Sequence, residues 1–262
     1  MNSILKVLKY QAKDALRSRW LIAYALFFML VTDGLLRFSG DPMKAQLSLV
    51  SVVLFLVPLV SIVFGTVYLY NAREFIELLL AQPVNRRQMY GGLYLGLTLP
   101  LALAFIVGLG LPFVLRGADE TTRGSLGALL LAGVVLTCVF TAIASLIAMR
   151  CEDRLRGLGA AIGVWMLLTV VYDGFVLFIL AVFSNRPLEH ATLGLMMANP
   201  IDIARIALLL RFDGAAMMGY TGAVFLRFFG DAQGVLVSAA ALVLWVSLPV
   251  ALGMRAFSRK DF

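Results

Sequence analysis

The chain has 262 residues, of which 61% are hydrophobic and only 14% charged, and a mean hydropathy of +0.94. A soluble globular chain is nearer ~45–50% apolar and ~25% charged, so a water-soluble fold is excluded and a polytopic membrane protein follows. The net charge of +7 does not indicate nucleic acid, because Lys and Arg collect at the ends of apolar runs instead of forming a patch with aromatics.

Residues 1–19 read as a basic amphipathic helix lying in the membrane interface. Ile4, Leu5, Leu8, Ala12, Ala15 and Leu16 share one face, and Lys6, Lys9, Lys13 and Arg17 share the other. A plain basic segment ahead of a span is the alternative. The first apolar run ends in LLRFSGD, which lacks a small-x-small cleavage site, so it is expected to stay as an anchor. Six apolar runs follow, at Trp20–Leu36, Leu47–Tyr70, Leu93–Leu115, Ser125–Met149, Leu158–Phe183 and Gly234–Met254. Each is near the ~20 residues needed to cross ~30 Å of hydrocarbon. Backbone that cannot reach water must satisfy its own hydrogen bonds, so the runs are predicted to be helices and the fold an all-α membrane protein.

Between the second and third runs, residues 71–84 are charged and two-faced. Phe75, Ile76, Leu79 and Leu80 fall on one side of a helix; Asn71, Arg73, Glu74, Glu77 and Ala81 fall on the other. Pro83 should break this helix, and Asn85 with Gln88 three residues on is a capping-box start for the next. The pattern predicts a short helix along the membrane surface, where a soluble partner acts on the membrane part. Pro58, Pro100 and Pro112 are expected to kink their spans. Small-xxx-small spacings at Gly92/Gly96, Gly159/Gly163 and Gly230/Gly234 would allow close helix approach, although 23 glycines make chance matches common.

Residues 184–233 form the one sizeable loop. Asn199 as cap, Pro200 at the first helical position and Asp202 in the first turn start a helix that is too short to span. Together with Ala215–Phe229 it reads as two short re-entrant or interfacial helices, an extra pair of spans being the alternative. Lys and Arg number 14 on the side holding both termini and 71–92, against 8 on the side of this loop. The excess puts both termini in the cytoplasm.

No phosphate-binding G-x-x-x-x-G-K-[ST] loop occurs, nor H-E-x-x-H, nor a cysteine pair with metal-ligand spacing. Cys138 and Cys151 read as reduced thiols, and the single histidine, His190, as a solvated loop residue. Met196, Met197, Met217, Met218 and Met43 could suit Cu(I) but fit packing better, so no metal site is assigned. Asp33 has Arg37 four residues on, which predicts an interfacial ion pair. Asp173, beside Tyr172 and Gly174 in the fifth run, must be protonated, paired or facing a wet cavity, because an ionised Asp at a helix centre costs ~2.5–3.5 kcal/mol. A path-lining role and a hydrogen bond to a neighbouring Thr or Tyr both remain open for it.

The amphipathic amino-terminal segment and Glu74-Phe75-Ile76-Glu77-Leu78-Leu79-Leu80-Ala81-Gln82-Pro83-Val84-Asn85-Arg86-Arg87 resemble the membrane permease subunits of ABC exporters of the six-helix type 2 class. The segment is similar to that family's E-x-x-x-LL-x-x-P-hydrophobic-[ST]-R element, with Asn85 where Ser is commoner, a tolerable cap exchange. The resemblance implies that Glu74, Phe75, Glu77, Leu78, Pro83, Asn85, Arg86 and Arg87 form a coupling helix docked on a separate ATPase subunit. It further implies that ATP and Mg are bound by that partner and that this chain binds no cofactor. Two permease copies would work together in the cytoplasmic (inner) membrane, with Asp173 and Tyr172 along the translocation path. A narrower similarity is to the permease of the nitrous-oxide reductase maturation system, which works with a periplasmic copper-site assembly protein. Ala198–Arg205, Met218–Ala223 and the terminal Arg259-Lys260-Asp261-Phe262 carry it. General lipid or drug efflux, and an ion-coupled secondary transporter, are the alternatives.

Overall fold

The computed structural model describes residues 18–39, 42–80, 85–116, 120–182, 194–211 and 232–259, and every regular element among them is helical. In chain order these are α1 (Arg19–Phe38), α2 (Pro42–Asn71), α3 (Arg73–Leu80), α4 (Arg86–Arg116) and α5 (Glu120–Arg150). Then come α6 (Arg154–Met166), a π-helical turn (Leu167–Val171), α7 (Tyr172–Val182), α8 (Pro200–Arg211) and α9 (Ala232–Arg259). Among the described residues, six helices are long and apolar enough to cross a bilayer: Arg19–Phe38, Lys44–Asn71, Arg86–Arg116, Arg123–Arg150, Arg154–Ile179 and Val235–Arg259. These coincide with the six apolar runs. The fifth, α6 to α7, passes through the π turn. Residues 1–17 of the expected amino-terminal helix lie outside the described residues, as do Pro83 and the second loop piece, Ala215–Phe229.

Helix α5 is the centre of the bundle and touches α2, α4, α6, α8 and α9. It is held to α4 by polar bonds that hydrocarbon cannot replace. Thr98 and Thr141 pair at 2.9 Å, Tyr90 and Ser145 at 2.7 Å, and the Tyr94 hydroxyl donates to the Cys138 carbonyl at 3.0 Å. Each such bond between membrane helices contributes about 0.6 kcal/mol, and together they fix register. Helix α1 packs on α4 and α2. There Gly108 lets the backbones meet, since a Cβ at that position would sit 2.5 Å from the Ala25 carbonyl oxygen. Gly65 lets α2 approach α5, since a Cβ there would sit 2.9 Å from the Ala144 Cβ.

Of the predicted small-xxx-small pairs, Gly92 and Gly96 are buried in α4. Gly159 and Gly163 face open space instead, and Gly230 is outside the described residues. The two closest approaches described, at Gly65 and Gly108, fall outside the predicted Gly/Gly pairs, with Ser61 and Ala104 as the small residues four positions before them. Pro58, Pro100 and Pro112 all lie inside helices that continue through them.

The helix ends sort into two sets. Tyr70, Arg73, Arg86, Cys151, Glu152 and Ser258 meet at one end, the basic end. Asp33, Arg37 and Arg116 meet at the other, the loop end. The fifth and sixth spans are only 11% buried each, against 61% and 56% for the third and fourth. Their outer faces are left for lipid or for another chain.

Candidate functional site

At the loop end, the fifth span and α8 build a polar cluster around Asp173. The π turn widens the helix just before it, with the Tyr172 N–H donating to the Leu167 carbonyl. Single π turns inside α-helices recur at functional sites. Asn199 caps α8, its Oδ1 accepting from the Ile201 N–H at 3.0 Å. The same side chain donates through Nδ2 to the Leu168 carbonyl of the π turn at 2.8 Å and to Asp202 at 3.1 Å. Arg205 lies one turn along α8 from Asp202. Its guanidinium bridges Asp202 at 3.0 Å and Asp173 at 2.9 Å. The Tyr172 hydroxyl donates to the Leu195 carbonyl and ties the cluster to the chain leading into α8.

Electrostatics follow from this layout. Two carboxylates share one guanidinium, and Asp202 is buried, with only 6% of its side chain exposed. Burial pushes the Asp202 carboxyl up to about 6; Arg205 opposes the rise, while Asp173 adds to it and Asn199 opposes it. Asp173 and Arg205 border a cavity of about 350 Å³, walled by Leu47, Val50, Leu54 and Phe55 of α2, with Ser51 and Thr169 adding hydroxyls. Below it the Trp165 ring meets Phe55 edge-on at 4.8 Å and donates to the Phe55 carbonyl at 3.3 Å, pinning α6 to α2. Asp173 is therefore paired and also borders a cavity. Its partner among the described residues is a cation from the loop helix, Arg205.

Arg205, Asp202 and Asn199 were not among the expected path residues. Asn199 and Asp202 are legible as helix-start residues, but nothing in spacing joins them to Asp173 across 26 residues or more. Asp33 does pair with Arg37, at 2.8 Å, and it also holds Arg116 from the end of α4, a partner that sequence distance hides.

At the basic end, α3 covers Arg73–Leu80 of the helix expected over 71–84. Ile76 is buried, while Leu78 is 71% exposed. Glu77 pairs loosely with Arg73 at 3.7 Å. Arg73 also donates to the Glu152 carbonyl at 2.9 Å, and Tyr70 to the Cys151 carbonyl at 2.9 Å, so the turn between α5 and α6 holds the base of α3. Asn85 caps α4 through the Arg87 N–H at 3.1 Å, and Arg86 donates to the Ser258 carbonyl at 3.1 Å. Asn85, Arg86 and Arg87 are exposed. Of Glu74 and Phe75 only the backbone is described. The two ends form separate clusters, with α3 and Asp173 at opposite ends of the bundle. Among the described residues no group of three His, Cys, Asp or Glu is placed to hold a metal.

A family model described as ABC-2 family transporter protein matches residues 5–262. A protein of Pseudomonas aeruginosa named "Probable ABC transporter permease protein NosY" is 29% identical over 282 residues, covering 99% of this chain and 99% of that protein. One of the same name from Stutzerimonas stutzeri is 27% identical over 277 residues, covering 97% of this chain and 95% of that protein.

Proposed function

Since this chain belongs to the ABC-2 transporter family, a family of multi-pass membrane permeases, we propose that it is the membrane subunit of an ATP-driven exporter. A separate ATPase subunit binds ATP and Mg, two copies of each chain form the machine, and both termini face the cytoplasm. The observation that carries the reading is α3. It is a short two-faced helix at the basic end, exposed at Leu78 and Glu77 and fastened at its base to the turn between α5 and α6. Movement imposed on α3 is thereby passed to the two transmembrane helices that this turn joins. Glu74, Phe75, Glu77, Leu78, Pro83, Asn85, Arg86 and Arg87 are the proposed contacts with the ATPase. Tyr172 and Asp173 border the path near its loop end.

The test is ATPase stimulation in the reconstituted complex. Glu77→Arg should reduce stimulation at least tenfold while the chain still inserts and purifies. Undiminished stimulation would remove α3 from the coupling role.

The narrower role, export in service of nitrous-oxide reductase copper-site maturation, is supported by the NosY names of two near-full-length relatives and by the resemblance of Ala198–Arg205. Deleting the chain should leave nitrous-oxide reductase made but short of copper. Full copper occupancy in the deletion strain would return the reading to general efflux.

A further inference from the structure

A groove of about 660 Å³ runs along α2 between the starts of α1 and α6, at the basic end. Its mouth is polar, with Ser18, Asn71 and Arg154, and Trp20 and Tyr68 stand beside them. Further in it is wholly apolar: Val67, Phe64, Val63 and Val60 lead to Leu59. Phe64 and Tyr68 stack at 5.9 Å with their planes 22° apart, which makes one wall flat. From Asn71 to Leu59 a helix rises roughly 18 Å. That is about one leaflet of a ~30 Å hydrocarbon core.

Lipid tails gain little by leaving other lipid tails for an apolar protein face, so any selectivity must come from the mouth. The charges there are uneven. Arg156 pairs with Asp153, and Arg73 with Glu77. Arg154 is exposed and has no acidic partner among the described residues, and Arg19, next to Trp20 at the start of α1, has none either. An unopposed guanidinium above a leaflet-deep apolar slot, with a hydroxyl and an amide beside it, matches a phosphodiester carrying an acyl chain.

We propose that this groove binds one anionic phospholipid of the leaflet at the basic end, its phosphate held by Arg154 and its acyl chain laid along Val67 to Leu59. The site is independent of the ATPase reading and can be tested by binding alone. Trp20 at the mouth is the reporter, with Trp165 and Trp245 replaced by Phe in the full-length chain. In phosphatidylcholine vesicles, phosphatidylglycerol brominated high on its acyl chain should quench Trp20 at about a fivefold lower mole fraction than brominated phosphatidylcholine. Each arginine near an anionic headgroup is worth about that factor. Arg154→Gln should erase the preference, whereas Arg156→Gln should keep it. Equal effects of the two substitutions would mean that only the general surface potential attracts the lipid, and the site would be lost. Absence of quenching by either lipid would mean that protein covers the groove, which overturns the proposal equally.

Discussion

Arg205 of α8 reaches across to Asp173 of the fifth span at 2.9 Å while also holding Asp202 at 3.0 Å on its own helix. One guanidinium thus serves two carboxylates, and removing one acid is not equivalent to removing the guanidinium. Asp173→Asn leaves Arg205 paired with Asp202 and should cost about 1 kcal/mol. Arg205→Ala leaves two acids facing each other, one of them buried. Breaking a fully buried pair costs ~3–5 kcal/mol; with a third of the Asp173 and Arg205 side chains exposed, about 2–3 is expected. Hydrogen exchange over 200–211 would read this order directly, and equal exchange in the two variants would contradict it.

Asp202 makes the docking of α8 depend on pH. Its carboxyl, ordinarily near 3.8, is pushed up to about 6 by burial, against the pull of Arg205 and Asn199 and with the push of Asp173; Tyr172 is the other titratable group beside it. A raised pKa means that the docked state binds more protons than the undocked one between these values. Docking is therefore firmest below about pH 4, weakens as pH rises through 6, and is flat above. The full span is at most about 3 kcal/mol. Exchange of the α8 amides, corrected for intrinsic rates, should be slower at pH 5 than at pH 7.5. Asp202→Asn should remove the difference and hold α8 in its pH 5 state throughout.

At the opposite end, the proposed coupling role of α3 gives Arg73 and Leu78 different tasks. Its guanidinium ties α3 to the Glu152 carbonyl, while Leu78 stands exposed on the same helix. Arg73→Ala should leave the ATPase bound but lower its stimulation several-fold, because α3 can then move without moving α5 and α6. Leu78→Asp should weaken association itself, by about 1–2 kcal/mol for one lost apolar contact. Co-purification yield and stimulated turnover, measured on both variants, would show two different patterns if the roles differ as described.

The parts of this molecule that are legible in its sequence are those written over short distances. Six spans, the helix at 73–80, the Asn85 and Asn199 caps and the Asp33–Arg37 pair all rest on neighbours within one or two turns, or on twenty-residue composition. What could not be read is pairing between distant segments. Asp173 demanded a partner, but Arg205 is 32 residues away, on a helix whose docking depends on a π turn that no local pattern announces. The glycines mislead for the same reason. Spacing marks Gly159 and Gly163, yet it is Gly108 that lies on Ala25, because the facing helix decides which glycine is needed.

That contrast can be measured. A methyl at Gly108 would meet the Ala25 carbonyl oxygen at 2.5 Å and the Phe28 Cβ at 3.1 Å, and backbone cannot swing aside. Gly108→Ala should destabilise the α1–α4 packing by ~1–3 kcal/mol, as overpacking does. Gly163→Ala meets nothing within 4 Å and should be neutral or slightly stabilising through helix propensity. Thermal unfolding in detergent would rank the two, and a Gly108→Ala protein as stable as the parent would mean that α1 is free to shift.

Asn199 performs two tasks with one amide, and a pair of substitutions can divide them. Its oxygen caps α8 by accepting from Ile201, and its nitrogen donates to the Leu168 carbonyl in the π turn and to Asp202. Asn199→Ala removes everything: the cap, worth ~0.5–2 kcal/mol, and the donor to a buried carbonyl, worth ~1–3 kcal/mol when left unmet. Asn199→Asp keeps a cap oxygen, and a carboxylate at a helix start is favourable. However, it brings a third acid beside Asp202 and Asp173 and presents oxygen to the Leu168 carbonyl. If the cap were the main task, Asp would rescue most of what Ala loses. If docking on the π turn is the main task, Asp will be as damaging as Ala or worse at pH 7.5 and will recover at pH 5, where protonation supplies a donor. The second pattern is expected, since Asn199 is fully buried and both of its Nδ2 bonds are made inside the cluster. Exchange over 200–211 at the two pH values would distinguish the outcomes.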